Sequence, residues 1–336
     1  MERWWEIFCA FRLFQLALQW QETWVWTAEN VGMTEQFKKT SHRPWPLPSG
    51  KWLMAQRWND LLFAHWPMQA AAIQSLLPAG LEVDTYSGTA WLGIVPFWMD
   101  RVRLRWLPRI PGANKFAELN LRTYVRDVRT GTPGVYFFSL EASSLLAVTV
   151  ARGAFQLPYH WAEMRMVPRG EREFEFYSSR LLSRKAVRFS ARYRGLGPSH
   201  KLVQSRPGTI EYFLTERYCL FTRDPLGRLV RANIHHVPWP LEDAEAEFNE
   251  NDLAGAMGLR LPDTEPLLHY CRHMVVYVWS AELAEVEVLQ REHVVATAQY
   301  RREGGRTLQF PEPGLPIIGK MRVLAGAGGT LRGQDE

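Results

Sequence analysis

The sequence predicts a mainly β domain (α+β), a sandwich or barrel with a few short helices outside. Three observations predict it. Runs of strand-forming residues recur at short spacing, separated by turn formers, with no internal repeat. One segment, 118–128, alternates polar and apolar residues, as a strand must when successive side chains point to opposite faces. Aromatic residues abound, with 15 Trp, 17 Phe and 11 Tyr. Such rings suit pleated surfaces and pocket walls.

Residues 51–58 read as a first strand, and 69–77 as a short Ala-rich helix stopped by Pro78, Ala79 and Gly80. Ala90, Trp91, Leu92, Ile94 and Val95 make 89–97 a strand. Segment 101–111 mixes Arg and Trp and reads as an exposed crossing loop or short strand. In 118–128, Glu118, Asn120, Arg122 and Tyr124 share one face and Leu119, Leu121, Thr123 and Val125 the other. The turn formers at 129–134 follow, then strands at 135–140 and 145–150 joined as a hairpin through 141–144. Further strands are expected at 171–177, 186–193, 210–222, 229–237 and 269–279. Segment 243–257 reads as the best helix, with Gly258 as its stop.

The length of 336 residues allows one large domain or two small ones. The pattern favours a single domain at 33–282, preceded by a leader at 1–32 and followed by an extension at 283–336, partly disordered. The leader is rich in Trp, Phe and Leu but broken by Glu6, Arg12 and Glu22. It lacks the basic start and the cleavage site of a signal peptide. It reads either as an amphipathic surface segment or as a misassigned start, with translation beginning at Met33. No stretch reaches the apolar length of a membrane span.

A formal charge of +5 permits an anionic ligand, and no nucleic-acid motif accompanies it. The Arg-rich stretch 165–206 reads as a solvated outer strand face rather than a nucleic-acid groove. Cys9, Cys219 and Cys271 are odd in number and far apart, which excludes a disulfide framework and fits a reducing cytoplasm. His235-His236 and His269…His273 lack an acidic or Cys partner at metal-ligand spacing, so no metal is expected. The nucleophile elbow, the phosphate loop and the dinucleotide fingerprint are absent, and no cofactor is expected.

Several stretches occur in the order found in a bacterial family of unknown function, the YqjF-like domain (domain of unknown function 2071). They are Trp58-Asn59-Asp60-Leu61-Leu62-Phe63-Ala64-His65-Trp66-Pro67, Leu77-Pro78-Ala79-Gly80-Leu81-Glu82 and Ala90-Trp91-Leu92-Gly93-Ile94-Val95-Pro96-Phe97. Phe116-Ala117-Glu118-Leu119-Asn120-Leu121-Arg122-Thr123-Tyr124-Val125, Ala151-Arg152-Gly153-Ala154-Phe155-Gln156-Leu157-Pro158-Tyr159 and Leu267-Leu268-His269-Tyr270 complete the set. The family in turn resembles the acetoacetate-decarboxylase-like superfamily. That resemblance implies a mainly antiparallel β-cone around a small-molecule cavity, with a few peripheral helices. It also implies a homo-oligomer, as general frequency does.

Acetoacetate decarboxylases carry their catalytic lysine in a Gly-Arg…Pro-Lys-Lys stretch. The matching residues are Ala151, Arg152, Pro158, Tyr159 and His160. Tyr159 thus replaces the Schiff-base lysine and His160 its neighbour. A tyrosine cannot form an imine, so the resemblance does not carry Schiff-base decarboxylation. None of the other lysines follows that motif, and Lys115, just before the Glu118 strand, is the one to check.

By resemblance Glu118 faces the cavity. Arg122 shares its strand face, about 13 Å farther along at ~3.3 Å per residue. The two could bracket a ligand, Arg122 holding a carboxylate and Glu118 serving as acid, base or hydrogen-bond partner, with Asn120 between them. The bland alternative is that they satisfy neighbouring strands. Tyr159 and His160 are acid–base candidates, and as neighbours on a strand only one should point inward. Arg152 and His65 are ligand-contact candidates whose bland reading is structural. Three functions follow: binding of a small oxo-acid or related anionic metabolite, a lysine-independent lyase, hydratase or isomerase using Glu118 with Tyr159 or His160, and a non-catalytic interaction module.

Overall fold

The computed structural model describes residues 35–106, 115–199, 206–224 and 226–284. The expected leader at 1–32 and the extension beyond residue 284 lie outside the described residues.

The chain builds β1 (Met54–Met68), α1 (Ala70–Gln74), β2 (Leu81–Val83), β3 (Ala90–Leu104), β4 (Phe116–Asp127) and β5 (Pro133–Ala142). It continues with α2 (Leu145–Phe155), β6 (Tyr159–Pro168), β7 (Glu173–Arg180), β8 (Arg188–Gly195), α3 (Ile210–Thr215), β9 (Cys219–Arg223) and β10 (Leu229–His235). Last come β11 (Glu242–Asn251), α4 (Leu253–Ala256), β12 (Leu267–Val278) and β13 (Glu282–Leu283).

The strands close on themselves twice. One circuit of nine runs β5-β6-β7-β8-β11-β12-β1-β3-β4 and back to β5. A second circuit of seven shares the wall β12-β1-β3-β4-β5 and returns through β9 and β10. Closure leaves few unpaired edges. The pairings are antiparallel except β5 with β6 and β5 with β9.

A shared wall explains why its strands read as continuous apolar runs, for both of its faces are buried. Odd residues of β1, Leu61 and Phe63, enter the core of the seven-strand ring with Val95, Phe97 and Met99 of β3. Even residues, Leu62, Ala64 and Trp66, enter a second core with Leu119, Leu121, Phe176 and Phe189. The alternation expected in β4 places Glu118, Asn120, Arg122 and Tyr124 on the ring side.

At Asp60 the β1–β3 register shifts and φ is +52°, a bulge in the wall. The bulge aims the Asp60 carboxylate at Tyr270 Oη (2.6 Å) and Trp98 Nε1 (2.8 Å), which donate to it, while Tyr193 Oη donates to its carbonyl (2.7 Å). β1 is thereby tied to β3 and β12 within the wall and to β8 outside it. Gly195 of β8 lies over the tethered ring, and a Cβ there would stand 2.4 Å from Tyr270 Cδ1. Gly195→Ala is therefore expected to cost about 1–3 kcal/mol through overpacking. Calorimetry should read it as a midpoint roughly 3–10 °C lower.

Three expectations are corrected. Segment 145–150 is not the second arm of a hairpin but the start of helix α2. Strands β5 and β6 run parallel, and a parallel pair needs a crossover. Ser144 supplies the start, its Oγ accepting from Ala147 N at 3.2 Å. Segment 210–222 is split: Thr209 caps α3 by accepting from Tyr212 N, and only Cys219–Arg223 is strand. Segment 243–257 is mostly strand β11, with helix confined to Leu253–Ala256. Its acidic residues alternate with Ala244, Ala246 and Phe248, which pack on the second core. Glu245 pairs with Arg194 of β8 at 2.6 Å, so cross-strand charge outweighs the helix propensity of Ala and Glu. The arginines of the outer strands are likewise paired, Arg165 with Glu163 and Arg169 with Glu175, each at 2.6 Å.

Candidate functional site

The seven-strand ring encloses a cavity of about 80 Å³. At ~10–15 Å³ per water-sized sphere, it has room for roughly five to eight such groups. Its polar lining includes Glu118, Asn120 and Arg122 of β4 with Tyr159 of β6. One flank is apolar, with Val135, Phe137, Leu140 and Ile234 among its residues.

Glu118 is 2% exposed. Tyr159 Oη donates to its Oε2 at 2.8 Å. Burial pushes the Glu118 carboxyl up to about 8, opposed by the hydrogen bonds of Tyr159 and Asn120 and helped by the charge of Glu141. At neutral pH Glu118 is therefore mostly protonated. Tyr159 occupies Oε2 as donor, which leaves the carboxyl proton on Oε1. Burial and the neighbouring Glu118 raise the Tyr159 phenol well above its ordinary range.

Arg122 is 6% exposed, and among the described residues no carboxylate pairs with it. Its NH2 makes long bonds to Leu214 O (3.3 Å) and Tyr124 Oη (3.4 Å), and its Nε has no protein acceptor. The guanidinium lies 5.3 Å from the Phe63 ring centre. Tyr124 Oη is 2.6 Å from His65 Nε2. With Arg122 donating to Tyr124, the phenol proton is left for Nε2. Burial, then Arg122 and His269, hold His65 well below the usual histidine range, so its ring is neutral and can accept. Gly93 leaves room for that ring, since a Cβ there would stand 3.1 Å from His65 Cδ2.

The sequence candidates thus fall in three places. Glu118, Asn120, Arg122 and Tyr159 share the cavity. His65 reaches it through Tyr124 and Arg122, as a positioning residue. His160 and Arg152 stand apart from it. His160 pairs in register with Glu141, whose carboxylate takes a bond from Arg180. Burial, then Arg180 and Arg152, lower it to about 4. Arg152, exposed on α2, donates from Nε to the Tyr159 carbonyl at 2.7 Å and so anchors the backbone rather than a ligand. Lys115 is exposed, its Nζ 4.6 Å over the Trp98 ring.

Motif reading does not point to three of the lining residues as ligand contacts: Arg217 and Trp239, which it passes over, and His236, which it weighs only as half of a metal-binding pair. They come from the stretch around β9 and β10, where only Pro238-Trp239-Pro240 stands out. Arg217 Nη1 donates to Asp84 at 2.7 Å and its Nε to Phe213 O at 2.7 Å. Burial lowers His236 to about 4, and its ring stacks on Tyr218. Among the described residues no group of three His, Cys, Asp or Glu side chains is placed to hold a metal ion. No helix among them is long and apolar enough to cross a membrane.

The sequence profile of an uncharacterised conserved protein family, domain of unknown function 2071, matches residues 55–275. The uncharacterised protein YqjF of Bacillus subtilis (strain 168) is 43% identical over 247 residues, 74% of this chain and 98% of that protein. The chain belongs to this family. Similar solved structures include acetoacetate decarboxylase from Legionella pneumophila, at 11% identity and a TM-score of 0.48 over 74% of this chain and 94% of that one. An acetoacetate decarboxylase-like enzyme from Sphingomonas wittichii RW1 gives 14% and 0.49 over 72% and 98%. The enduracididine biosynthesis enzyme MppR, complexed with pyruvate, gives 13% and 0.47 over 70% and 91%.

Proposed function

We propose that the chain binds a small oxo acid, or a closely related anionic metabolite, in the cavity of the seven-strand ring. The observation that carries this reading is the buried Arg122 guanidinium, which has no carboxylate partner among the described residues. An uncompensated buried cation costs several kcal/mol, and a bound anion offsets that cost. Arg122 would hold the carboxylate, while the Glu118 Oε1–H would donate to a carbonyl oxygen. The apolar flank would take the carbon chain. With Tyr159 where decarboxylases carry lysine, no imine forms, and the reading excludes Schiff-base chemistry.

Thermal unfolding of the full chain against short 2-oxo, 3-oxo and hydroxy acids tests it. A ligand at a hundred times its dissociation constant should add about 2.7 kcal/mol. A flat midpoint across the panel would move the assignment to the interaction module.

A second reading, lysine-independent acid–base turnover, is favoured by one observation. Glu118 is held near pH 8 by burial and hydrogen-bonded to Tyr159, so it can give or take a proton close to neutrality. It requires a bell-shaped pH–rate profile whose basic limb is set by Glu118. Turnover that persists unchanged in Glu118→Gln would remove it.

A further inference from the structure

We propose that Trp239 is the second donor of the anion seat, its indole N–H and the Arg122 Nε–H together receiving a single carboxylate, so that the ligand is a short-chain monocarboxylate. This inference rests on the binding function proposed above and names the chemistry of its charged end.

Trp239 follows β10 and is 3% exposed. It lines the cavity, and its Nε1 has no acceptor among the described residues. An indole N–H only donates, and a guanidinium Nε only donates, so neither unpaired group can be reassigned by turning a side chain over. Unpaired buried donors are rare and each one asks for a partner. Here two of them belong to side chains that line one cavity and share one support. The Trp239 ring packs edge-on to Phe63, 5.0 Å between centres, and the Arg122 guanidinium lies 5.3 Å from the centre of that ring. The Trp239 backbone is fixed as well, its N–H donating to Glu216 Oε1 at 3.0 Å. The two donors are thus held around one apolar platform before any ligand arrives. A carboxylate supplies the two oxygens they lack.

The charge inventory limits that ligand to one negative charge. Arg217, the other guanidinium on the cavity, already serves Asp84 at 2.7 Å and the Phe213 carbonyl. Of these two, Arg122 is the one without a counter-charge among the described residues. Most of the remaining lining is apolar, and a second carboxylate placed against it would be desolvated without a partner. The volume, about 80 Å³, fits a chain of a few carbons.

Trp239→Phe keeps the ring against Phe63 and removes only the donor, so folding should be preserved. The indole N–H signals of the full chain, with Trp239 identified by its absence from Trp239→Phe, should be followed by proton–nitrogen correlation spectroscopy. The probes are acetate, propionate and pyruvate, then succinate and inorganic phosphate, with thermal midpoints measured on the same samples. The expected result is saturable movement of the Trp239 signal with the monocarboxylates and its loss in Arg122→Met. Pyruvate should bind Trp239→Phe at least tenfold more weakly, the effect of one hydrogen bond to a charged group. If pyruvate raises the midpoint equally in both proteins while the Trp239 signal stays still, Trp239 is not in the seat, and the oxo-acid function survives. If no monocarboxylate moves either readout, both proposals fall. Succinate or phosphate binding as tightly as pyruvate would overturn the single-charge assignment.

Discussion

Glu118→Gln is expected to make the protein more stable, increasingly so as pH rises from about 4.5 to about 8, and to leave it nearly unchanged below about pH 4.5. In the folded state Glu118 titrates at about 8, against an ordinary value of 4.5. Between those values the folded state holds a proton that the unfolded state has lost. Stability from this group is therefore complete below about pH 4.5 and declines as pH rises through 8. Each pH unit in that window costs about 1.4 kcal/mol, so the full loss reaches the order of 4–5 kcal/mol. Gln is of similar shape, stays neutral, and can still accept from Tyr159. The difference between the two proteins should be near zero at pH 4, should widen to about pH 8 and should level off above it, and a domain of this size shifts by roughly 2–4 °C per kcal/mol. The subtraction matters because other groups titrate too. Burial raises Glu141 and Glu216, which contribute in the same sense. Burial lowers His160, His235 and His236 to about 4, so their contribution is lost instead as pH falls from about 6.5 towards 4. Unfolding curves that run parallel for both proteins from pH 5 to pH 9 would show that Glu118 is ionised throughout.

The parts of this architecture that sequence reveals are those fixed by local alternation. Period two in 118–128 is enough to set Glu118, Asn120, Arg122 and Tyr124 on one face, and the structure has them there because Leu119 and Leu121 must enter the opposite core. The family motifs are legible for the same reason, as 61–66 and 90–97 lie in a wall buried on both sides. What local pattern cannot give is the direction of a neighbour. Residues 145–150 have the apolar content of either a strand or a helix. The parallel run of β6 beside β5, a long-range fact, decides for the helix. In β11 the choice between helix and strand is made by arginines some fifty residues earlier on β8. The cavity divides in the same way. Its β4 half follows from alternation. Arg217, His236 and Trp239 arrive only because β9 and β10 close the second circuit, which no single segment encodes.

Arg122→Met should separate stability from binding, and in opposite directions. The guanidinium is buried and, among the described residues, has no carboxylate partner and holds long bonds to Leu214 O and Tyr124 Oη. Methionine fills much of the same volume with an apolar, adaptable chain. Removing the uncompensated charge should stabilise the ligand-free protein by about 1–3 kcal/mol, after the small loss from those two bonds. The Tyr124–His65 bond at 2.6 Å should persist, since the phenol can still donate to the neutral ring. The same substitution should abolish the stabilisation by short oxo acids, because a buried carboxylate would face no cation. A more stable, ligand-insensitive protein is the signature of a residue kept for binding at the expense of folding, a trade common at functional sites. The opposite pair of results would place Arg122 among the groups that hold the ring together: a midpoint several degrees lower, with ligand response retained. Glu118 makes the comparison sharper. It sits on the same face of the same strand, and its replacement should move stability only above about pH 4.5. The gain in Arg122→Met should not follow that window, since the substitution leaves the Glu118 carboxyl in place. A pH-independent gain beside a pH-dependent one would identify one cation and one neutral acid on the same face of the cavity, the polarity the proposed oxo acid requires.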